Sequence, residues 1–128
     1  MKILFLDDSP RRHAVFKNRA SDHDVTYVWT ASEAIEALKT GGFDYVFLDH
    51  DLGEFKNGEE LGFDEAMSEK ESAGDGFQVA SFIAEHMYKN MWPYKVIIHS
   101  HNPGAAKRMQ EVLWDAGLEK VYREPFGY

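Results

Sequence analysis

Three apolar segments of the sequence run directly into acidic or imidazole side chains, and this pattern constrains the fold more than any other feature. The segments and the residues that follow them are 3–6 with Asp7 and Asp8, 45–48 with the run 49–53, and 96–98 with the run 99–101. A short apolar run bounded by turn residues is typical of a buried strand. Because ligands bind outside the carboxyl ends of strands in open α/β sheets, we expect these polar side chains to share one site.

Helix signals separate the strands that the pattern predicts. The expected strands are residues 2–7, 24–29, 44–49, 94–99 and 120–123. Between them, Ser9-Pro10, the Thr30–Glu33 capping box, Asp75-Gly76 and Asn102-Pro103 each indicate the start of a helix. Strictly alternating strands and helices predict a parallel sheet with helices on both faces. We therefore expect a single α/β domain over residues 1–128.

Residues 54–74 interrupt this alternation. They are rich in acidic residues and glycine and poor in large apolar ones, which predicts an inserted acidic loop with a short helix near residues 63–71. A loop of this length in a small domain is usually functional or disordered. The sequence leaves open whether it is a charged, solvated loop or a lid over the site.

Charge and composition exclude several classes of function. A formal net charge of -8 argues against binding extended nucleic acid, which needs many lysine and arginine contacts to phosphates. The sequence has no apolar stretch near the roughly 20 residues of a membrane span, and residues 1–2 lead straight into a core strand rather than a signal peptide. We therefore expect a soluble, cytoplasmic protein that does not act at a membrane. The absence of cysteine excludes thiolate metal sites and cysteine nucleophiles.

In this order, the motifs resemble a response-regulator receiver domain. The corresponding residues are Asp7 and Asp8 for its acidic pair, Asp49 for its phosphoacceptor, Asp75-Gly76 before its third helix, Ser100 for its switch hydroxyl, and Glu124-Pro125-Phe126 for its Lys-Pro-Phe. The resemblance implies a flavodoxin-like fold with five parallel strands in the order 2-1-3-4-5. The sequence departs from the receiver pattern in lacking the last helix and in placing Glu124 where receivers keep a lysine. An anion there would repel a phosphoaspartate, so we expect no phosphorylation switch.

The histidine motifs resemble a narrower family. Asp49-His50-Asp51-Leu52-Gly53 and the run 99–104, His-Ser-His-Asn-Pro-Gly, are similar to the cyclic-phosphate-processing receiver domain family. The resemblance implies a receiver fold converted from phosphoacceptor to phosphoesterase, found among RNA-repair and phage-conflict genes, hence in a bacterium or a phage-infected host. The implied partner is a small phosphorylated substrate, either a cyclic nucleotide or a 2′,3′-cyclic phosphate at an RNA end.

Phosphodiester hydrolysis needs a positive centre, a base and an acid, and the strand ends offer candidates for each. The candidate metal ligands are Asp7, Asp8, Asp49 and Asp51. Their oxygens suit Mg²⁺ or Mn²⁺. His99 and His101, with His50 as a third candidate, could act as acid and base because imidazole titrates near neutrality. If the histidines are ligands instead, Mn²⁺, Zn²⁺ or Fe²⁺ fits better, and the sequence leaves both roles open.

Two further residues are candidates for contacts to the phosphate. They are Ser100 and Asn102, although Asn102 is equally suited to cap the helix that starts at Pro103. His13 is expected to be inert, and Trp29 to serve in packing rather than as a base-stacking platform.

The competing hypothesis is a non-catalytic receiver-like interaction or signalling module. Such a module would bind a partner through its sheet edge or through the surface that the last helix would have covered. An apolar surface left open in this way also predicts a homodimer.

Overall fold

The structure is a computed structural model, and it describes residues 1–50, 52, 55–56, 59–60, 75–86, 93, 95–100 and 102–124. Its strands are β1 (Lys2–Leu6), β2 (Asp24–Val28), β3 (Tyr45–Leu48), β4 (Phe55–Lys56), β5 (Glu59–Glu60), β6 (Lys95–Ile98) and β7 (Val121–Arg123). Its helices are α1 (Pro10–Arg19), α2 (Ala31–Lys39), α3 (Gly76–Glu85) and α4 (Pro103–Asp115). In the described segments, no helix combines the length and hydrophobicity needed to cross a bilayer.

Five of the strands form one parallel sheet in the order β2-β1-β3-β6-β7. Because β6 and β7 are the fourth and fifth strands of this sheet, the predicted order 2-1-3-4-5 is confirmed. The described residues contain four helices, and none of them follows β7 as far as residue 124. The fold is the flavodoxin-like α/β fold that the resemblance implies.

The register of the sheet aligns three strand ends. Leu6 of β1 pairs with Leu48 of β3, and Leu48 pairs with Ile98 of β6. The ladder continues one residue further, because the Asp49 amide donates to the Leu6 carbonyl and the His99 amide to the Leu48 carbonyl. Asp7, Asp49 and His99 therefore leave the sheet at the same level.

The two faces of the sheet bury different amounts of apolar surface. Leu4, Leu6 and the inward residues of β3 and β6 join α2, α3 and α4 in the larger cluster. On the opposite face, Ile3 and Phe5 pack in a smaller cluster with Phe16 of α1 and with Ala20, the residue that follows the helix. Alternate residues of β1 thus face opposite clusters, which explains why a strand buried on both faces is an unbroken apolar run. The smaller cluster has α1 as its cover, so α1 is held close to the carboxyl end of β1.

The predicted helix starts are confirmed by their capping hydrogen bonds. The side chains of Ser9, Thr30, Asp75 and Asn102 each accept a hydrogen bond from the backbone amide three residues later. Each bond satisfies one of the amides that the first helical turn leaves without a partner. In the capping box, Glu33 returns a bond to the Trp29 amide at 3.1 Å rather than to the amide of the cap itself.

The acidic segment differs from the expected irregular loop in one respect. Within it, Phe55–Lys56 and Glu59–Glu60 pair in antiparallel fashion as β4 and β5. The short helix predicted near residues 63–71 lies outside the described residues, as does the rest of the segment.

Candidate functional site

Four of the predicted site residues meet at the carboxyl ends of β1, β3 and β6. Their relative exposures are 0% for Asp7, 5% for Asp8, 4% for Asp49 and 2% for His99. Ligand atoms of Asp7, Asp49 and His99 all lie within 4.8 Å of one another. A buried ionised carboxylate is costly unless it is paired or bound to a metal. We call Asp7, Asp8, Asp49 and His99 the carboxylate cluster.

His99 is held in place by contacts on its ring face and at its edge. Its Nε2 lies 2.9 Å from Asp7 Oδ2, which joins residues 92 positions apart in the chain. Its ring stacks on that of Phe5, with centroids 5.1 Å apart and planes 4° from parallel. The imidazole is therefore fixed in orientation and directed at Asp7.

Arg12 is the cluster's counter-cation, and the sequence analysis missed it. Its Nε donates to Asp7 Oδ2 at 2.7 Å, and its Nη2 donates to Asp7 Oδ1 at 2.9 Å. The same Nη2 lies 3.4 Å from Asp49 Oδ2 and 3.6 Å from Asp8 Oδ1. The sequence did carry a signal for this contact, because Arg12 follows Asp8 by four residues at the start of a helix.

The charges of the cluster are unevenly compensated. Burial would raise the pKa of Asp7, but hydrogen bonds from His99 and Arg12, together with their charges, hold it at about 2. Burial raises the pKa of Asp49 well above its ordinary value, and the charges of Asp7 and Asp8 add to that rise. Arg12 and the His50 amide oppose the rise without cancelling it. Asp49 is therefore a buried carboxyl that its surroundings do not favour as an anion.

This imbalance fits a bound cation. An opposite charge next to clustered carboxylates favours their ionised forms. Carboxylate oxygens are the ligands that Mg²⁺ and Mn²⁺ prefer, and the imidazole of His99 would also suit Mn²⁺ or Zn²⁺. The residues present are thus chemically suited to a divalent metal ion, as the sequence predicted.

Gly76 explains the Asp75-Gly76 motif. Its amide donates to the His50 carbonyl at 3.0 Å, so the first residue of α3 lies directly against the backbone that carries Asp49. A β-carbon at position 76 would overlap the Asp49 carbonyl oxygen and crowd Met109. Glycine is required here because no other residue lets α3 approach β3 so closely.

The remaining predicted site residues either face elsewhere or lie outside the described residues. His50 donates its amide to Asp49 Oδ1 at 2.9 Å, but its Nε2 lies 3.8 Å from Asp75 Oδ2. Ser100 Oγ accepts from the Asn102 amide at 3.0 Å, and Asn102 Oδ1 accepts from the Ala105 amide at 3.2 Å. Ser100 and Asn102 thus stabilise the start of α4. Asp51 and His101 lie outside the described residues.

His13, expected to be inert, borders the cluster, and Trp29, expected to serve in packing, stacks on His13. His13 is buried, and its Nε2 lies 2.7 Å from the Asp7 carbonyl oxygen. Its ring stacks on Trp29 with centroids 3.7 Å apart. Burial lowers the pKa of His13, which favours the neutral ring. His13 therefore anchors the backbone of Asp7, a role that sequence spacing alone does not reveal.

The chain is similar in fold to solved structures of receiver domains and response regulators. The non-phosphorylated HemR receiver domain of Leptospira biflexa is 22% identical with a TM-score of 0.63, over 98% of this chain and 83% of that one. Response regulator TrrA of Thermotoga maritima, in complex with Mg²⁺ and beryllium fluoride, is 19% identical with a TM-score of 0.60, over 99% and 87%. The receiver domain of Saccharomyces cerevisiae Ssk1, solved with the phosphotransfer protein Ypd1, is 14% identical with a TM-score of 0.62, over 99% and 80%.

The sequence itself matches one family model. Among curated proteins, no sequence shows significant similarity to this chain. The family model for the cyclic-phosphate processing receiver domain, however, matches residues 2–115, which include β1 through α4 and every member of the carboxylate cluster. The chain is thus a receiver domain of the response-regulator type, and it belongs to the cyclic-phosphate processing receiver domain family.

Proposed function

We propose that this chain is a non-catalytic receiver-type module that binds a divalent cation together with a phosphate-bearing ligand at the carboxylate cluster. One observation carries the proposal: Asp49 is buried beside Asp7 and Asp8, and its pKa is raised despite Arg12. A divalent cation would remove this penalty. It would also provide a positive centre to which phosphate oxygens bind.

The metal ligands we propose are Asp8 and Asp49. Asp7 would border the metal site, next to His99. Asp7 already has short bonds to Arg12 and His99, whereas the contacts that Arg12 makes to Asp8 and Asp49 are longer, at 3.6 and 3.4 Å. The weaker contacts are the ones that an incoming cation would replace first. Mg²⁺ or Mn²⁺ suits this oxygen-rich set, and the TrrA neighbour was solved with Mg²⁺ and beryllium fluoride.

Binding without hydrolysis is favoured by the position of His99. A general acid or base must come within hydrogen-bond reach of the proton that it transfers. His99 is 2% exposed, its Nε2 is directed at Asp7, and its ring lies flat on Phe5. In this arrangement the imidazole of His99 orients Asp7. His99 is thus better placed to position a metal-binding carboxylate than to transfer protons.

Noncovalent binding is favoured over a phosphoaspartate switch by Glu124. Its amide donates to the Ile98 carbonyl at 3.0 Å, which places this exposed acidic residue beside the carboxyl end of β6. An anion at this edge opposes a phosphoryl group on Asp49. We expect acetyl phosphate with Mg²⁺ to leave the protein without a phosphoryl adduct in mass spectrometry.

The output of such a module would be a protein contact. The Ssk1 receiver domain was solved with the protein Ypd1, which supports a protein partner for this chain as well. Homodimerisation stays a prediction, and sedimentation at high micromolar concentration tests it.

The second candidate function is hydrolysis of a cyclic phosphate, and the description of the matched family favours it. The ligand would then be a substrate, either a cyclic nucleotide or a 2′,3′-cyclic phosphate at an RNA end. A metal ion held by the carboxylates would supply the positive centre, and His99, His50 or His101 the acid and base.

One experiment distinguishes the two candidates. The protein is incubated with 2′,3′-cyclic mononucleotides and Mg²⁺ or Mn²⁺, and both binding and turnover are measured. Metal-dependent binding without turnover is the expected result. Turnover that His99→Ala abolishes would favour the phosphoesterase, and the absence of both binding and turnover would contradict both candidates.

A further inference from the structure

We propose that Arg12 is the residue of this chain that binds the phosphate group once a cation occupies the carboxylates. This inference rests on the proposed function, because it concerns the second ligand of the same site. Receivers are expected to bring a lysine to this place from the last strand, but here the corresponding residue is Glu124. The positive charge at the cluster comes instead from the first turn of α1.

Arg12 is held at the cluster by the pair of bonds to Asp7. The two donors, Nε and Nη2, lie 2.7 and 2.9 Å from the two oxygens of one carboxylate. Paired bonds of this kind fix the plane of the guanidinium as well as its position. The side chain is 12% exposed, so it lies at the boundary between the buried cluster and solvent. A ligand that approaches from solvent would meet this side chain at the mouth of the cluster.

The longer contacts of Arg12 are the ones that a metal ion would take over. Nη2 lies 3.4 Å from Asp49 and 3.6 Å from Asp8, distances at which the interaction is electrostatic rather than a strong hydrogen bond. A divalent cation on Asp8 and Asp49 would supply these carboxylates with charge directly. The guanidinium would keep Asp7, and its Nη2, released from Asp49 and Asp8, would contact an anion beside the metal.

The charge balance supports the same assignment. Asp7, Asp8 and Asp49 carry three negative charges when ionised, and a divalent cation with Arg12 supplies three positive ones. Without Arg12, a phosphate entering the site would meet an excess of negative charge. Arginine also suits this role better than lysine does, because its planar guanidinium has enough donors to hold Asp7 and contact a phosphate oxygen at once.

The test is a titration of inorganic phosphate into protein saturated with Mn²⁺, by calorimetry, for the wild type and for Arg12→Gln. Glutamine removes the charge but can still hydrogen-bond Asp7. We expect Arg12→Gln to bind Mn²⁺ at least as tightly as the wild type, because a competing cation has been removed. It should bind phosphate about tenfold more weakly or worse, since hydrogen bonds to charged groups typically contribute that much.

The matched control is Arg19→Gln. Arg19 is the last residue of the same helix and is exposed, so the substitution changes the net charge equally at the far end of α1. Phosphate and Mn²⁺ affinities of this variant should equal those of the wild type. Equal losses in both variants would show a general charge effect and overturn the proposal.

Arg12→Lys carries the test if Arg12→Gln does not fold. Lysine keeps a positive charge for the carboxylates but cannot make the paired bonds to Asp7, so Mn²⁺ should bind normally and phosphate more weakly. Wild-type phosphate affinity in either Arg12 variant would overturn the assignment of Arg12 while leaving the proposed function intact. If the Mn²⁺-loaded wild type binds no phosphate, the proposed function fails and this inference fails with it.

Discussion

Two strand-to-helix corners of the molecule, the α1 corner after β1 and the α4 corner after β6, have the same local structure but different roles. In each, a strand ends at the carboxyl edge of the sheet, a polar residue caps a helix, and proline is the first helical residue: Ser9-Pro10 after β1 and Asn102-Pro103 after β6. In each, the third helical residue donates its amide to the cap, from Arg12 to Ser9 Oγ at 3.3 Å and from Ala105 to Asn102 Oδ1 at 3.2 Å. At the first corner that residue is an arginine that reaches back into the carboxylate cluster, and at the second it is an alanine.

The difference shows which polar groups are available for a ligand. At the α4 corner, Ser100 and Asn102 use their side chains to hold the start of the helix. At the α1 corner, Ser9 caps the helix and Asp7 accepts from the Ser9 amide, but Asp7 also accepts from Arg12, which joins this corner to the cluster. Two helix starts with the same local sequence pattern can therefore differ in function because of one side chain on the first turn.

The largest expected loss of stability comes from a substitution that disrupts the α1 corner. Asp7→Ala removes the acceptor for both Arg12 and His99, so Arg12 loses its shortest ion pair and the buried His99 loses the carboxylate at its Nε2. Because breaking a buried ion pair leaves an uncompensated charge, we expect the free energy of unfolding to fall by about 3 to 5 kcal/mol. Urea denaturation at pH 7 measures this change.

The control for that variant is Asp44→Ala. Asp44 is exposed, and its Oδ2 accepts a bond from the Lys2 amide at 2.8 Å at the opposite end of the sheet. Its loss should cost about 1 kcal/mol or less. Equal losses for Asp7→Ala and Asp44→Ala would contradict the account of the α1 corner.

Low pH should destabilise the protein at the α1 corner. Against the effect of burial, hydrogen bonds from His99 and Arg12 lower the pKa of Asp7 from its ordinary value of 3.8 to about 2 in the folded protein. The stability that this difference contributes is fully present above pH 3.8 and is lost as pH falls toward 2, a change of about 2 kcal/mol. Denaturation between pH 5 and pH 2 should show this loss in the wild type, and Asp7→Ala should lack it.

Much of the site could be predicted from the sequence, because the positions of its residues depend on the topology of the sheet. Apolar runs placed the strands, the parallel order brought the ends of β1, β3 and β6 together, and Asp7, Asp49 and His99 follow those ends directly. The parts that did not follow depend on side-chain direction. Arg12 turns toward Asp7 because α1 lies on the small cluster of Phe5 and Phe16, and His13 is buried by Trp29 stacking on it. Contacts of this kind are set by the angle at which a helix packs, which local sequence spacing does not encode.

A smaller effect of opposite sign is expected at Asp49. Its pKa is raised in the folded protein, so its contribution to stability is present below pH 3.8 and is lost as pH rises through the folded pKa. At pH 8 without metal, Asp49→Asn should therefore raise the free energy of unfolding. Thermal denaturation in a chelating buffer measures this, with Asp44→Asn as the exposed control. A loss of stability in Asp49→Asn would contradict the raised pKa.

The smallest expected losses of stability come from substitutions of the two helix-capping residues. Ser9→Ala and Asn102→Ala each remove one capping bond, which should cost about 1 kcal/mol in either corner. Asn102→Ala should leave the increase in melting temperature produced by Mg²⁺ unchanged, because its side chain serves α4. If Asn102→Ala abolished that increase, Asn102 would belong to the ligand site after all.

The most direct test of the central claim is calorimetric titration of Mn²⁺ into the wild type and Asp49→Asn, each with and without inorganic phosphate. If the carboxylate cluster is a joint metal and phosphate site, the wild type should bind one Mn²⁺ per chain and should bind phosphate in its presence. Asp49→Asn should lose at least tenfold in affinity for the metal, as expected when a charged ligand of a cation is removed, at about 1.4 kcal/mol per factor of ten. Equal Mn²⁺ binding by the wild type and Asp49→Asn would contradict the account.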